Sequence, residues 1–416
     1  MTNRVVVVGA GHAAGQFAAR LRNEKFEGEI VMLGNEPQLP YQRPPLSKAY
    51  LAGEVGSDRV LLRPADFYED KNVEVRLSTA VAAIDTGAST VTTQAVTTQA
   101  VATGAGDTLE YTHLVLATGA RVRRLPGFEL AGVHYVRTLA DSDSLKSALA
   151  PGQKIIVVGG GYIGLEVAAV AAKRGAAVTV LEAQPRILSR VATAPVADYL
   201  RRVHEANGVV IRTGVRIARA EGEAGVGAVV LQDDAGAQGE RIEADAVIVG
   251  IGITPNTELA EAAGLHVDDG IVVDERGATT CANVWAIGDC SRHPSRIYGR
   301  SVRLESVHNA MAQAGVVAAN IAGKDTVYNE IPWFWSDQYD LKLQIAGLAD
   351  GHDETVIRGD PDTGSFTVFA LARGCVIAAD SINAMRDHIE CRKLAAAKKA
   401  VDKARLADVG VALKEL

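Results

Sequence analysis

The chain contains little cysteine, and none of it lies early. Its four cysteines, Cys281, Cys290, Cys375 and Cys391, fall in the last third of 416 residues, without Cys-x-x-Cys or Cys-x4-Cys spacing. This pattern indicates isolated thiols. It leaves the first 280 residues without a redox disulfide, and we expect no metal site in the protein.

Long apolar runs and an excess of positive charge are also missing. No uncharged stretch approaches the roughly 20 residues that a membrane span needs, and the apolar residues 5–8 are too few for an export signal. We therefore expect a cytoplasmic protein. A net charge of −7 argues against nucleic acid or an anionic membrane as its main partner, although a local basic patch is compatible with it.

Two glycine-rich turns dominate what is present. They read Val8-Gly9-Ala10-Gly11-His12-Ala13-Ala14 and Val158-Gly159-Gly160-Gly161-Tyr162-Ile163-Gly164. Each follows a β-branched run and opens a helix-like stretch, as a dinucleotide-binding turn does. The first glycine permits the bend, the second lets the backbone approach a pyrophosphate, and the third position allows helix and strand to pack closely. These positions hold Gly9, Gly11 and Ala14 in the first turn, and Gly159, Gly161 and Gly164 in the second.

The pair of turns predicts two bound dinucleotides. Their phosphates would lie at the positive ends of the two helices, beside His12, Ala13, Tyr162 and Ile163. Glu182 lies 23 positions after Gly159, where a carboxylate binds the ribose hydroxyls of NAD and repels the phosphate of NADP. Arg186 is the nearby residue that would oppose this preference. In the first unit the same role falls to Asn35 or Glu36, and the spacing does not decide between them.

The order of elements predicts an α/β fold with two Rossmann-like domains, the second inserted in the first, and a C-terminal α+β domain. We expect the first dinucleotide-binding domain at 1–112 and 247–325, the inserted one at 113–246, and the C-terminal domain at 326–416. Residues 386–405 are predicted to form one helix rich in lysine and arginine.

Several further segments suggest that the first dinucleotide is a flavin. They are Arg43-Pro44-Pro45-Leu46-Ser47-Lys48, Ala117-Thr118-Gly119 and Gly288-Asp289. Two further distinctive segments are Glu305-Ser306-Val307-His308-Asn309-Ala310 and Trp333-Phe334-Trp335-Ser336-Asp337-Gln338. Together with residues 159–166, these segments resemble the FAD-dependent pyridine nucleotide oxidoreductases with a glutathione-reductase-like architecture. Within that family the chain is most similar to the NADH-dependent ferredoxin reductases.

This resemblance implies specific roles. FAD would contact Ala13, Asn35, Lys48, Val81, Arg137, Asp289 and Val307, within a site that also includes Arg43, residues 117–119, Gly252, Gly288 and Trp335. Lys48 and Glu166 would meet beside the flavin N5 and act as the catalytic pair, with the ammonium stabilising electron density on the reduced ring. The chain departs from the family pattern at Asn35, where aspartate is frequent, and at Ala384, where proline is expected.

The missing disulfide also bears on the electron acceptor. The glutathione reductase branch of the family carries a cysteine pair close to the flavin, in the segment where this chain has residues 40–48 and no cysteine. Electrons would therefore leave the flavin directly, and a [2Fe–2S] ferredoxin serving a monooxygenase or dioxygenase fits that need. Ferredoxins are acidic, so we expect a local basic docking patch. The candidates are Arg296, Arg300, Arg303, Lys342 and Lys393, on a monomer or weak homodimer.

Two other functions remain open from the sequence. A flavin-dependent NADH oxidase or quinone reductase would pass electrons to oxygen, peroxide or a quinone. A redox-sensing binding protein resembling apoptosis-inducing factor would act by association instead of turnover.

Overall fold

The computed structural model describes residues 3–97, 100–101, 106–233, 236 and 238–416. The strands, in chain order, are β1 (Arg4–Val8), β2 (Glu29–Leu33), β3 (Val73–Arg76), β4 (Thr79–Asp85), β5 (Thr90–Thr97), β6 (Ala100–Val101), β7 (Thr108–Glu110), β8 (His113–Leu116), β9 (Ala120–Val122), β10 (Val133–His134), β11 (Lys154–Val158), β12 (Ala177–Glu182), β13 (Val210–Thr213), β14 (Ile217–Glu221), β15 (Ala228–Gln232), β16 (Gln238–Glu243), β17 (Ala246–Val249), β18 (Ile253–Pro255), β19 (Ile271–Val272), β20 (Val284–Ala286), β21 (Ser291–Ser295), β22 (Arg300–Val302), β23 (Trp333–Gln338), β24 (Leu341–Gly347), β25 (Glu354–Asp360), β26 (Ser365–Ala372) and β27 (Cys375–Ile382).

The α-helices are α1 (His12–Asn23), α2 (Ala49–Ala52), α3 (Ser57–Val60), α4 (Ala65–Asp70), α5 (Leu139–Ala148), α6 (Tyr162–Lys173), α7 (Ala194–Ala206), α8 (Glu258–Ala262), α9 (Val307–Ile321), α10 (Met385–Ala397) and α11 (Lys403–Ala407). Across the described ranges, no helix is both long and apolar enough to cross a membrane.

The chain divides into two compact units. The first comprises Met1–Arg43, Asp58–Arg121 and Thr254–Glu330, and the second comprises Pro44–Ser57, Val122–Ile253 and Ile331–Leu416. Each unit contains one five-stranded parallel sheet and one of the two glycine-rich turns. The division into three domains with boundaries near 112, 246 and 325 stays a prediction.

The first unit is built around the sheet β20-β8-β1-β2-β3, in which all neighbours are parallel. Alternate residues of β1 face opposite sides of the sheet. Val5 and Val7 pack against α1 and α9, whereas Val6 and Val8 pack with residues of the antiparallel sheet formed by β4, β5 and β7. The strand is therefore apolar throughout, as a parallel strand covered on both faces must be.

The second unit repeats this plan. Its parallel sheet has the order β10-β17-β11-β12-β13. Ile155 and Val157 of β11 face α6 and α7, while Ile156 and Val158 face the antiparallel sheet β14-β15-β16. The unit also contains the C-terminal antiparallel sheet β23-β24-β27-β26-β25, whose side chains join the core that covers α6 and α7. The predicted fold class is confirmed.

The C-terminal helix expected over 386–405 is wrong as a single element. Lys398 has a left-handed φ of +50° and ends α10. The next residues pair with the strand hairpin instead, since Val401 N–H donates to the Gly374 carbonyl at 3.0 Å. Asp402 then starts α11 by accepting from the N–H groups of Ala404 and Arg405. The charge pattern alone carried no signal for this interruption.

One buried carboxylate ties the C-terminal sheet to the start of α7. Asp380 of β27 is 1% exposed, and its Oδ2 accepts from both the N–H and the hydroxyl of Thr193 at 2.7 Å. Burial raises the pKa of Asp380 from 3.8 to about 6, although the two Thr193 donors act in the opposite direction.

Asp380→Asn should make the protein less sensitive to pH between about 4 and about 6. Because the folded protein holds this proton more tightly than the unfolded chain, the stabilisation from Asp380 is present at low pH and is lost as pH rises through that window. The slope is at most about 1.4 kcal/mol per pH unit. In urea unfolding experiments, the free energy of unfolding of the variant should rise relative to that of the native chain as the pH increases. The difference should become constant above about pH 6. Thr193→Ser, which keeps both donors, should behave like the native chain, and a constant difference between Asp380→Asn and native would contradict the assignment.

Candidate functional site

The first glycine-rich turn packs as tightly as its sequence predicts. Gly9 follows β1 with a φ of +114°, and a Cβ placed there would lie 2.2 Å from the Ala117 carbonyl oxygen at the end of β8. Only glycine fits this close approach. Gly11, the N-cap of α1, has no neighbouring heavy atom within 4 Å of an added Cβ. The turn thus leaves open space at the N-terminus of the helix, where an anion is stabilised.

The second turn has the same construction. A Cβ on Gly159 would lie 2.4 Å from the Gly250 carbonyl oxygen at the end of β17, and one on Gly164 would lie 2.1 Å from the Gly159 carbonyl oxygen. Gly161 again faces open space, as does Gly252, which has a φ of +106°. The hydroxyl of Tyr162, the first residue of α6, donates to the Val191 carbonyl at 2.9 Å, and Ile163 is exposed.

Glu182 lies against the second turn at the end of β12. Its carboxylate accepts from the N–H of Gly160 and from that of Gln184, both at 2.7 Å. The guanidinium of Arg186 is directed into its own loop, where it donates to the carbonyls of Ala192 and Ser189 at 3.1 and 3.5 Å. The carboxylate is thus held beside the predicted dinucleotide site, while the competing arginine is bound within its own loop.

At the corresponding place in the first unit, the two candidates differ. Glu36 accepts from Arg43 Nη2 at 2.6 Å and from the Tyr41 hydroxyl at 2.5 Å. Asn35 is exposed. The Glu36 carboxylate is therefore already engaged, which favours Asn35 as the residue open to a ribose.

Buried polar groups without partners surround the start of α1. Both ring nitrogens of His12 lack a hydrogen bond, and so does Nη1 of Arg63. Burial lowers the pKa of His12 to about 4, which Asp289 opposes. Arg63 also acts on His12 electrostatically, and it was not predicted. Because buried polar atoms are nearly always hydrogen-bonded, these groups fit the pyrophosphate of a bound dinucleotide.

The remaining first-unit candidates follow β8 and β20, begin α9 or lie within β4. Thr118 donates to the Asn256 carbonyl at 2.7 Å, and the Asn256 side chain donates back to the Thr118 carbonyl at 2.8 Å, which fixes the turn at 117–119. A Cβ on Gly288 would lie 3.1 Å from the Cβ of Ala13, so Asp289 follows directly from a residue that touches α1. Val307 opens α9, and Val81 lies in β4.

Lys48 and Glu166 meet in the second unit. Lys48 Nζ lies 2.6 Å from Glu166 Oε2. The Ser47 hydroxyl donates a hydrogen bond to the same oxygen at 2.5 Å. Glu166 is 1% exposed, and its Oε1 accepts from the Ser336 hydroxyl at 2.6 Å. Burial raises the pKa of Glu166, and Lys48 followed by the two serines opposes this shift. The sequence missed both serines, although each stands within a motif that it singled out.

Arg137 and Trp335 are two other candidates in the second unit. The Arg137 N–H donates to Asp141 Oδ2 at 3.1 Å, just before α5. Trp335 is half-buried, with its ring 5.5 Å from that of Trp333.

Within the described residues the four cysteines are free thiols, and no cluster of potential metal ligands occurs.

Sequence comparison assigns the chain to a family. The profile for pyridine nucleotide-disulphide oxidoreductases matches residues 3–314, and that for the reductase C-terminal domain matches residues 333–416. The chain belongs to the pyridine nucleotide-disulphide oxidoreductases. It is therefore an FAD- and NAD(P)H-dependent oxidoreductase, as the resemblance implied.

Relatives of this oxidoreductase match along its whole length. A ferredoxin–NAD(P)(+) reductase of Sphingomonas sp is 44% identical over 402 residues, covering 96% of this chain and 94% of the relative. The putidaredoxin reductase of Pseudomonas putida is 39% identical over 422 residues, covering 100% and 96%. The reductase in a crystal structure of a covalent putidaredoxin reductase–putidaredoxin complex superimposes with a TM-score of 0.93, at 39% identity and 99% and 97% coverage.

Gly161→Ala should leave this oxidoreductase folded and selectively weaken its nicotinamide binding. The added methyl meets no protein atom within 4 Å, so the thermal midpoint should stay near that of the native chain, while the methyl occupies the space intended for a phosphate. We expect a loss of at least tenfold in NADH affinity, about 1.4 kcal/mol, measured by titration.

Gly164→Ala should instead lower both stability and affinity, because its methyl would collide with the Gly159 carbonyl. The control Gly315→Ala lies in α9, where an added methyl also meets nothing, and it should change neither NADH affinity nor fold. Native affinity in Gly161→Ala would contradict the assigned site.

Proposed function

We propose that this protein is an NADH-dependent, FAD-containing ferredoxin reductase that supplies a [2Fe–2S] ferredoxin of a monooxygenase or dioxygenase system. The observation that carries the proposal is the buried Lys48–Glu166 ion pair in a chain whose described cysteines are all unpaired. Bound FAD would accept two electrons together and release them singly. With no thiol pair to receive them, a one-electron protein is the fitting acceptor.

In this proposal the first unit binds FAD. The helix N-terminus at Gly11 and the unpaired nitrogens of His12 and Arg63 would hold the pyrophosphate, and Asp289 would accept a hydrogen bond from the ribityl chain. Asn35 would contact the ribose. The turn at 117–119, together with Val81 and Val307, would line the remainder, and Arg43, Arg137, Gly252, Gly288 and Trp335 complete the proposed FAD and nicotinamide contacts.

The second unit would bind NADH at the turn 159–164. A Glu182 carboxylate held by the Gly160 N–H accepts hydrogen bonds from ribose hydroxyls and repels a 2′-phosphate. Lys48 would stand beside the flavin N5 and stabilise negative charge there, and Glu166 would hold the ammonium in place. After Lys48, the two serine donors oppose the rise in the pKa of Glu166 that burial causes.

Ion pairs engage three of the candidate cations for ferredoxin docking. Arg296 pairs with Glu275, Arg303 with Glu305, and Lys393 with Glu390. These three cations are partly neutralised. Lys342, which is exposed, is the second-unit candidate that we take further.

Exposed apolar side chains lie beside Lys342 in the second unit. Lys342 lines a shallow pocket with Trp335 and Met385, and Met385 and Ile389 are 56% and 60% exposed on one face of α10. Exposed apolar groups rimmed by charge are typical of protein interfaces. We place the ferredoxin contact here. A monomer or weak homodimer in the cytoplasm stays a prediction.

Anaerobic reduction followed by electron acceptance tests this function. NADH should bleach a yellow flavin spectrum in the purified protein, and a [2Fe–2S] ferredoxin should then be reduced in one-electron steps. Added salt should slow ferredoxin reduction, because charged surfaces steer the encounter, while flavin bleaching by NADH is little affected. Faster turnover with oxygen or a quinone than with any ferredoxin would favour an oxidase or quinone reductase. Turnover with none of them would favour a binding protein.

Glu182→Gln should reduce the preference for NADH over NADPH. The substitution retains an acceptor for the Gly160 N–H but removes the charge that repels a 2′-phosphate. We expect kcat/KM for NADH to fall about tenfold while kcat/KM for NADPH rises by a factor of a few. The ratio of the two values then falls by both factors together, which corresponds to about 1–3 kcal/mol. Asp198→Asn, on the exposed side of α7, is the control for lost surface charge. An unchanged ratio would remove the basis for the assigned NADH preference.

A further inference from the structure

Glu166 lies at the end of a buried chain of hydrogen bonds that the proposed function does not use. The Ser336 hydroxyl donates to Glu166 Oε1 at 2.6 Å. The Gln338 amide in turn donates to Ser336 Oγ at 3.0 Å. Behind Gln338, His204 Nε2 lies 2.8 Å from the amide oxygen. Ser336, Gln338 and His204 are at most 2% exposed, so water does not compete for these groups.

The donors of this chain all point toward Glu166. A hydroxyl has one proton, so Ser336, which donates to the carboxylate, can only accept from Gln338. Gln338 must therefore turn its oxygen to His204, whose Nε2 carries the proton. His204 Nδ1 accepts from the Tyr339 hydroxyl at 3.2 Å. Burial lowers the pKa of His204, which keeps the ring neutral, and the Gln338 contact opposes this shift.

A chain of hydrogen bonds that all point the same way strengthens the last bond, which is the one that Glu166 accepts. Hydrogen bonds aligned head to tail polarise one another, and the effect is largest where the dielectric is low. The carboxylate at the end is the charged group that benefits. His204 lies in the last turn of α7, while Ser336 and Gln338 both belong to β23. The helix is therefore connected to Glu166 through Gln338 and Ser336 of the C-terminal sheet.

We propose that His204 is a positioning residue for the Glu166–Lys48 pair. It acts through Gln338 and Ser336 and keeps the Ser336 hydroxyl donating its hydrogen bond to the Glu166 carboxylate. Without the His204 donor, Gln338 is free to turn, and Ser336 can then donate to Gln338 instead of Glu166. The carboxylate loses one of its three donors and takes up a proton. Its influence on the flavin rests on the proposed function, which places Lys48 beside the ring.

His204→Phe tests this proposal, because it fills the space and removes the donor. Infrared spectroscopy at neutral pH should show a carboxylic-acid C=O band that is absent from the native protein and absent again from the double variant with Glu166→Gln. This measurement does not depend on flavin. His204→Gln, which restores an N–H donor, should remove the band. Gln338→Met interrupts the chain at its next member with little change in volume and serves if His204→Phe does not fold.

The flavin reduction potential provides the second readout. Loss of the Glu166 charge leaves the Lys48 ammonium uncompensated, so the potential of the bound flavin should shift to more positive values in His204→Phe and return in His204→Gln. His388→Phe, at a buried histidine whose ring nitrogens make no hydrogen bond within the described structure, is the matched control and should give the native result in both measurements.

The two readouts separate the possible failures. Folded His204→Phe and Gln338→Met proteins without the acid band would overturn the proposal, whatever their potential. An acid band with an unchanged potential would support the positioning role of His204 and contradict the placement of Lys48 beside the flavin, and with it the proposed function.

Discussion

A charged carboxylate buried in the second unit is the constraint around which its segments are arranged. Glu166 is 1% exposed, and an uncompensated charge in such a position would cost several kcal/mol. Its compensation comes from separate parts of the chain, namely Lys48 and Ser47 near the start of the unit and Ser336 on β23. All three groups stabilise the same buried carboxylate. The ion pair thus demands a folded second unit and, in return, holds Lys48 in one position.

The two glycine-rich turns apply a related constraint to the backbone. In both units the first glycine lies against a carbonyl at the end of the neighbouring parallel strand, at 2.2 and 2.4 Å from a virtual Cβ. The turn can approach the neighbouring strand this closely only without a side chain between them. The next glycine then faces open space at a helix N-terminus. The same backbone geometry therefore occurs twice, and the side chains around it distinguish the two sites.

Local patterns predicted the local features well. The β-branched runs that precede the two glycine-rich turns form the strands β1 and β11, since a strand buried on both faces must be continuously apolar. The split of the C-terminal helix escaped prediction because a strand contact near Gly374, far away in the sequence, competes for its backbone. Arg63, Ser47, Ser336 and His204 were missed for a similar reason: no spacing rule connects them, and only the folded chain brings them to the groups they serve.

The contact between Glu182 and the Gly160 N–H links two tasks that are usually treated as separate. The carboxylate proposed to choose between nicotinamide cofactors also braces the loop that would cradle their phosphates. Evolution toward the phosphorylated cofactor therefore requires more than exchanging one acid for a base, since the loop would lose its brace in the same step. The side chain at position 182 and the geometry of the loop are therefore coupled, and a change of cofactor would involve both.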